Sequence, residues 1–277
     1  MSTERIHGHF GELLQGRLGE RGPVVLVTLP FPRPVVEVSR AVSNRDSPLL
    51  RRAGEVFASR FPGRQPSLRA QLFYPQGGGA GCSTAEALGA IRILARERGI
   101  SLSAEHESAM LLEVEGAVDP LAFPASPPLL WASREARVIE TLPPLPYMRA
   151  IGGFDGGGTR TDPSDEQFPD ISALLLRLKD ALSRRDLRAI GAVASASTRL
   201  NAARNPKPRA AQIEALAKDS GALGIAVAHT GSASALLYAP SQIVPPISQL
   251  EQLGLTHCVA FEVGEGAASL ASAPPSS

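Results

Sequence analysis

The segment best suited to chemistry is rich in glycine and lies between a predicted strand and a predicted helix: Pro75-Gln76-Gly77-Gly78-Gly79-Ala80-Gly81-Cys82-Ser83-Thr84-Ala85. Glycines let a backbone curl around an anion, because no Cβ blocks the approach. The following helix begins with free N–H groups and a partial positive charge, which favour phosphate. No Gly-Lys-Ser/Thr closes the segment, so it is not a Walker A motif. The alternative is a plain loop in which Ser83 caps the helix.

A second group of candidates is acidic. Asp119, in Gly116-Ala117-Val118-Asp119-Pro120, follows a predicted helix. There it could take or orient the proton of an alcohol, although it could also be a turn aspartate before proline. Glu115 is a nearby carboxylate that could join the hydroxyls of the glycine-rich loop as a ligand of a hard cation. Glu113 and Glu86 remain alternatives. His7 and His9 form a pair with no third partner, which disfavours zinc.

The glycine-rich loop resembles the second motif of the GHMP kinases, Pro-x-x-x-Gly-Leu-Gly-Ser-Ser-Ala, which wraps the phosphates of ATP. Three further segments resemble the branch of bacterial L-threonine kinases: His9-Phe10-Gly11-Glu12-Leu13-Leu14-Gln15-Gly16, Ser197-Thr198 through Asn205-Pro206-Lys207-Pro208, and Gly224-Ile225-Ala226-Val227-Ala228-His229-Thr230-Gly231-Ser232. They span nearly the whole chain. Where the branch often has Cys-Pro-Val-Asp, this chain has Leu29-Pro30-Phe31-Pro32, so a different small alcohol such as homoserine stays open as the acceptor.

The resemblance implies an α+β, two-domain fold and a role for each matching residue. The N-terminal domain would resemble ribosomal protein S5 domain 2, and the C-terminal domain would be ferredoxin-like. ATP would be bound by Pro75, Gly77, Gly78, Gly79, Ala80, Gly81, Cys82, Ser83 and Thr84, Mg²⁺ by Ser83, Thr84 and Glu115, and the acceptor by Glu12, Gln15, His229, Gly231 and Ser232, with Asp119 catalytic. The implied reaction converts L-threonine to O-phospho-L-threonine for the aminopropanol arm of cobalamin. Valine at Gly79 or Gly81 is expected to weaken ATP binding with little change in thermal unfolding.

Composition restricts the class of protein. The chain has 277 residues, 43% of them hydrophobic and 20% charged, which is typical of a globular protein. A net charge of +1 gives no reason to expect nucleic acid or a membrane as partner. No apolar run is long enough to span a bilayer, and the polar N-terminus does not resemble a secretory signal, so a cytoplasmic location is expected. Two cysteines indicate free thiols. A homodimer is compatible with the sequence, which does not define the oligomeric state.

Hydrophobic periodicity and proline positions predict the elements around these motifs. The run Pro143-Pro144-Leu145-Pro146 divides the chain into domains at 1–143 and 144–277. Predicted strands cover 24–29, 35–38, 68–74, 129–131, 137–141, 148–154, 222–228, 235–238 and 256–263. Predicted helices cover 83–98, 104–114, 171–183, 187–200, 210–220 and 247–252.

Overall fold

The structure is a computed structural model that describes residues 2–41, 47–156, 162–165, 167–228 and 230–267. Within this part, nine strands are β1 (Thr3–Arg17), β2 (Val24–Arg40), β3 (Leu68–Leu72), β4 (Leu129–Ala132), β5 (Arg137–Thr141), β6 (Met148–Phe154), β7 (Gly224–Val227), β8 (Ala233–Tyr238) and β9 (Thr256–Val263). The described residues also form seven helices: α1 (Pro48–Arg60), α2 (Cys82–Glu97), α3 (Ala104–Glu115), α4 (Ser172–Ser183), α5 (Leu187–Asn201), α6 (Ala210–Asp219) and α7 (Ile247–Gln252).

One sheet connects both halves of the chain. Within the described residues, its strand order is β5-β4-β2-β1-β7-β8-β6-β9, and β3 pairs with β2 outside this path. The halves meet where Glu12 of β1 pairs with Val227 of β7 in antiparallel fashion. The α+β class is thereby confirmed. The division into domains at 143/144 stays a prediction.

The strands β1 and β2 form the longest hairpin, which the sequence pattern did not predict. We expected two short strands, 24–29 and 35–38, because three prolines separate them. The structure instead has one strand, β2, that continues through the prolines. Its register with β1 shifts on both sides of His9, which pairs with Pro30. Such irregularities let a strand pass residues that lack an N–H donor, and they bend it.

The helices of the first half pack over this hairpin. The apolar positions predicted for α2, among them Leu88, Ile91 and Leu94, are all buried. Helix α1 was not predicted; it begins with Pro48, and the Ser47 hydroxyl accepts a hydrogen bond from Leu50 N at 3.1 Å. This start brings α1 against α2, close to the glycine-rich loop. Among the described helices, none has the length and apolar character that crossing a membrane requires.

Candidate active site

A cleft of about 660 Å³ contains most of the residues that the sequence singled out. Its wall includes the glycine-rich loop, the start of α2, the end of α3 and part of β1; the predicted site residues in it are Glu12, Gln15, Gly77, Gly79, Gly81, Cys82, Ser83, Thr84, Glu115 and Asp119. The cleft wall also contains apolar residues that the sequence analysis missed, namely Pro48, Leu49, Ala70 and Leu72. A larger groove of about 870 Å³, lined by Arg33, Arg149 and Phe261 among others, contains none of the predicted site residues.

The backbone conformation of the loop explains why it is rich in glycine. Gly77, Gly79 and Gly81 have φ of 72°, 85° and 75°, which L side chains rarely adopt. A Cβ on Gly79 would lie 2.1 Å from the Cβ of Ala228. Valine at Gly79 would therefore clash inside the protein, so its effect on unfolding would be large. This argues against our expectation of a small change in thermal stability.

The start of α2 faces the cleft. Its N-cap is Gly81, in the left-handed conformation, and no described side chain caps the helix. The alternative in which Ser83 serves as N-cap is therefore wrong. The N–H groups of the first turn, at Cys82, Ser83 and Thr84, lie at the cleft wall. Helix N-termini of this kind attract phosphate oxygens.

The three predicted metal ligands lie together. The Ser83 hydroxyl donates to Glu115 Oε1, and Thr84 Oγ1 donates to Glu115 Oε2 at 2.8 Å. Glu113 instead forms an ion pair with Arg60 at the surface. In the described part of the chain, no cluster of three or more His, Cys, Asp or Glu side chains could hold a metal alone. One carboxylate with two hydroxyls suits Mg²⁺, which commonly keeps waters and takes phosphate oxygens as further ligands.

The third carboxylate of this region, Glu86, has another partner. It is buried, and its Oε1 accepts a hydrogen bond from the Ser47 hydroxyl. Burial raises the pKa of Glu86, and the hydrogen bond from Ser47 offsets part of this rise. Cys82 is buried beside it. Burial, and to a smaller extent the negative charge of Asp119, raise the pKa of this thiol to about 12. Cys82 is therefore an inert thiol at neutral pH.

Asp119 is part of the cleft wall. Its N–H lies 3.4 Å from Thr84 Oγ1, which places it beside the loop. Val118 fixes the segment: its N–H donates to Ser133 O at 2.9 Å, and its carbonyl accepts from Trp131 Nε1 at 2.7 Å. The Asp119 side chain is 25% exposed and can meet a small ligand.

His9 is a site residue that the sequence analysis missed. It is 2% exposed, with Nε2 3.1 Å from Asp119 Oδ2 and Nδ1 3.8 Å from Glu12 Oε1. Neither ring nitrogen makes an aligned hydrogen bond to a described residue, so the contacts are charge pairs. Burial lowers the pKa of His9, but Asp119 and Glu12 outweigh it and raise the pKa to about 9. The sequence signal that could have found His9 is its place in the segment His9 to Gly16, which resembles the bacterial L-threonine kinases.

The charge on His9 predicts a pH-dependent stability. Its folded pKa of about 9 exceeds the ordinary 6.5, so the stabilising contribution is complete below about pH 6.5 and is lost as the pH rises through about 9. We expect His9→Gln to lower the unfolding free energy by about 1–3 kcal/mol at pH 6, and by less near pH 10. Urea unfolding without nucleotide measures this. The exposed His106→Gln is the control, and an equal loss at both pH values would contradict the prediction.

The predicted acceptor residues of β1 also line the cleft. Glu12 and Gln15 are each 6% exposed. The backbone at Gln15 is held by Ser197 Oγ and by Asn201 Nδ2, at 3.1 Å and 3.0 Å. Gln15 Oε1 is buried and has no hydrogen-bond partner among the described residues. A carboxylate and an amide oxygen thus present hydrogen-bond acceptors to a ligand.

The predicted acceptor residues after β7 occupy different places. Gly231 and Ser232 lie outside the described cleft wall, whereas their neighbour Thr230 belongs to it. The Ser232 hydroxyl donates to Gly156 O at 2.9 Å, away from the cleft. His229 lies outside the described residues. Asp155, directly after β6, accepts hydrogen bonds from the backbone N–H and the guanidinium group of Arg209, so it serves the fold.

Comparisons with known proteins agree with this architecture. No protein-family model and no curated protein matches the chain. Similar solved structures include the phosphomevalonate kinase of Streptococcus pneumoniae, with 15% identity, TM-score 0.63 and coverage of 95% of this chain and 99% of that one. A homoserine kinase from Cytophaga hutchinsonii has 14% identity and TM-score 0.56, with coverage of 95% of this chain and 94% of that one. A mevalonate pyrophosphate decarboxylase from Streptococcus pyogenes has 11% identity and TM-score 0.65 over 95% and 96%.

The chain has the fold of the GHMP kinases along nearly its whole length. Because a decarboxylase shares this fold, the reaction must be argued from the site rather than from the architecture.

Proposed function

We propose that this protein is an ATP-dependent kinase that transfers the γ-phosphoryl group of ATP to the hydroxyl of a small molecule. The observation that carries the proposal is the convergence on one cleft of the uncapped α2 start, the pair of Ser83 and Thr84 with Glu115, and Asp119. Phosphoryl transfer depends mainly on positioning and on neutralising phosphate charge, which these groups can provide.

Each group has a place in the proposed reaction. The loop and the N–H groups of α2 bind the phosphates, and Asp119 accepts a hydrogen bond from the acceptor hydroxyl and orients its oxygen towards the γ-phosphorus. As the new P–O bond forms, the proton of the acceptor hydroxyl passes to Asp119 and the bond from the γ-phosphorus to the leaving oxygen of ADP breaks. Ser83, Thr84 and Glu115 would hold Mg²⁺, which neutralises phosphate charge. His9 supports Asp119 with a positive charge at neutral pH.

We propose L-threonine as the acceptor and O-phospho-L-threonine as the product, for the aminopropanol arm of cobalamin. The sequence segments that resemble bacterial L-threonine kinases support this choice. The cleft adds a chemical reason: the Glu12 carboxylate and Gln15 Oε1 are buried acceptors that suit a protonated amine. Homoserine, which also carries an amine and a hydroxyl, is the second candidate, since a homoserine kinase shares the fold.

An acceptor screen tests the proposal. Purified protein with Mg-ATP should form O-phosphothreonine, detected by ³¹P NMR or mass spectrometry, and should release ADP in a coupled assay. Serine, homoserine and mevalonate are tested in parallel. Phosphorylation of homoserine but not threonine would make homoserine the acceptor and leave the proposal of a kinase intact. ATP binding without turnover of any alcohol would favour a nucleotide-binding relative that has lost catalysis.

A further inference from the structure

Lys207 is a half-buried cation that the proposed reaction leaves without a role. It lies between α5 and α6, and its Nζ donates to Ala228 O at 2.6 Å and to Gly231 O. Burial lowers the pKa of Lys207 to about 8, although the charges of Glu12 and Asp155 raise it; Asp155 itself is paired with Arg209. Lys207 is not among the described residues of the cleft wall.

The carbonyl groups that Lys207 binds belong to the turn between β7 and β8, and this turn contacts the glycine-rich loop. The Gly231 carbonyl accepts from Lys207, while the N–H of the same peptide unit, at Ser232, donates to Gly78 O at 2.8 Å. Ala233 N donates to Gly78 O at the same distance. A cation on a peptide carbonyl polarises the unit and strengthens its N–H as a donor.

Close packing reinforces these hydrogen bonds. A Cβ on Gly231 would lie 2.3 Å from the carbonyl carbon of Gly78, so the two backbones are in direct contact. Ala228 lies beneath Gly79 in the same way. Lys207 therefore binds both ends of a turn, at Ala228 and Gly231, whose surface supports consecutive glycines of the loop.

We propose that Lys207 is a positioning residue for the phosphate-binding loop, acting through the 231–232 peptide unit on Gly78. The inference rests on the proposed function, in which this loop binds the phosphates of ATP. It also gives a role to the Lys-Pro segment of the sequence. When Lys207 loses its proton, the turn loses its charged donor and the loop loses its support.

Isothermal titration of Mg-ATP, with no acceptor present, tests this role. We expect Lys207→Met to bind Mg-ATP about 10–100-fold more weakly, the range for losing hydrogen bonds to a charged group. Lys207→Arg, which keeps the charge, should recover most of the affinity. Lys218→Met, on the exposed surface of α6, should bind like the wild type.

The pH dependence separates positioning from a merely structural role. Wild-type affinity should fall as the pH rises through about 8, whereas Lys207→Arg should not show this step, because guanidinium stays charged. His9 is present in both proteins, so a step that His9 causes appears in both, whereas the step that Lys207 causes appears only in the wild type. This comparison also stands if Lys207→Met fails to fold.

Two results would overturn the inference. One is Lys207→Met binding within twofold of the wild type; the other is the same pH step in wild type and Lys207→Arg. In either case the proposed kinase activity stands, since the wild type binds Mg-ATP. No binding of Mg-ATP by the folded wild type would refute the proposed function, and the inference with it.

Discussion

Asp119→Asn should lower kcat by about 10²–10⁴-fold while the affinity for ATP stays nearly unchanged. Asparagine keeps the shape of the side chain and can still contact the acceptor hydroxyl, but it is not a base. It also removes the carboxylate that lies 3.1 Å from His9 Nε2, so the charge on that imidazole loses its partner. Asp119 contacts the loop through its backbone N–H, which the substitution retains.

Steady-state kinetics with the confirmed acceptor, together with Mg-ATP titration, check this result. Asp219→Asn, at the exposed end of α6, is the matched control. A loss of less than about tenfold would mean that the proton leaves without a dedicated base, as a loose transition state permits. Asp119 would then orient the acceptor at most.

Glu115→Gln should raise the Mg²⁺ concentration needed for half-maximal activity by about 10–100-fold or more. Loss of a residue that merely supports a metal site typically has an effect of this size. Glutamine keeps one acceptor oxygen for the Ser83 and Thr84 hydroxyls, but its amide nitrogen cannot accept from the second hydroxyl, and the substitution removes the negative charge that a hard cation prefers. Binding of ATP in the presence of EDTA should change little. The Mg²⁺ dependence of activity therefore measures the substitution directly.

The chain offers a close control in Glu113→Gln. Glu113 lies on the same helix, but its side chain is 50% exposed and pairs with Arg60. Its substitution should leave the Mg²⁺ dependence unchanged. Equal effects of the two substitutions, or none at Glu115, would contradict the assignment and return Glu86 to consideration.

Much of the local structure could be predicted from the sequence. The strand, loop and helix around Gly77 and Gly81 follow from short-range rules: glycines where φ is positive, and helical periodicity afterwards. The end of α3 before Asp119 is equally local, because Gly116 ends the helix in the left-handed conformation. The hairpin of β1 and β2 was not predictable in this way, since local proline rules indicate a break that pairing with β1 overrides.

The sequence by itself thus determined the chemical groups and the local elements that carry them, and the resemblance proposed their partners. Only the tertiary structure decided which carboxylate meets Ser83, that His9 lies between Asp119 and Glu12, and that Lys207 supports the loop from the second half of the chain. Local patterns depend on backbone geometry over a few residues. Contacts between distant segments depend on strand register, bends and packing of the whole sheet, which no short window of sequence contains.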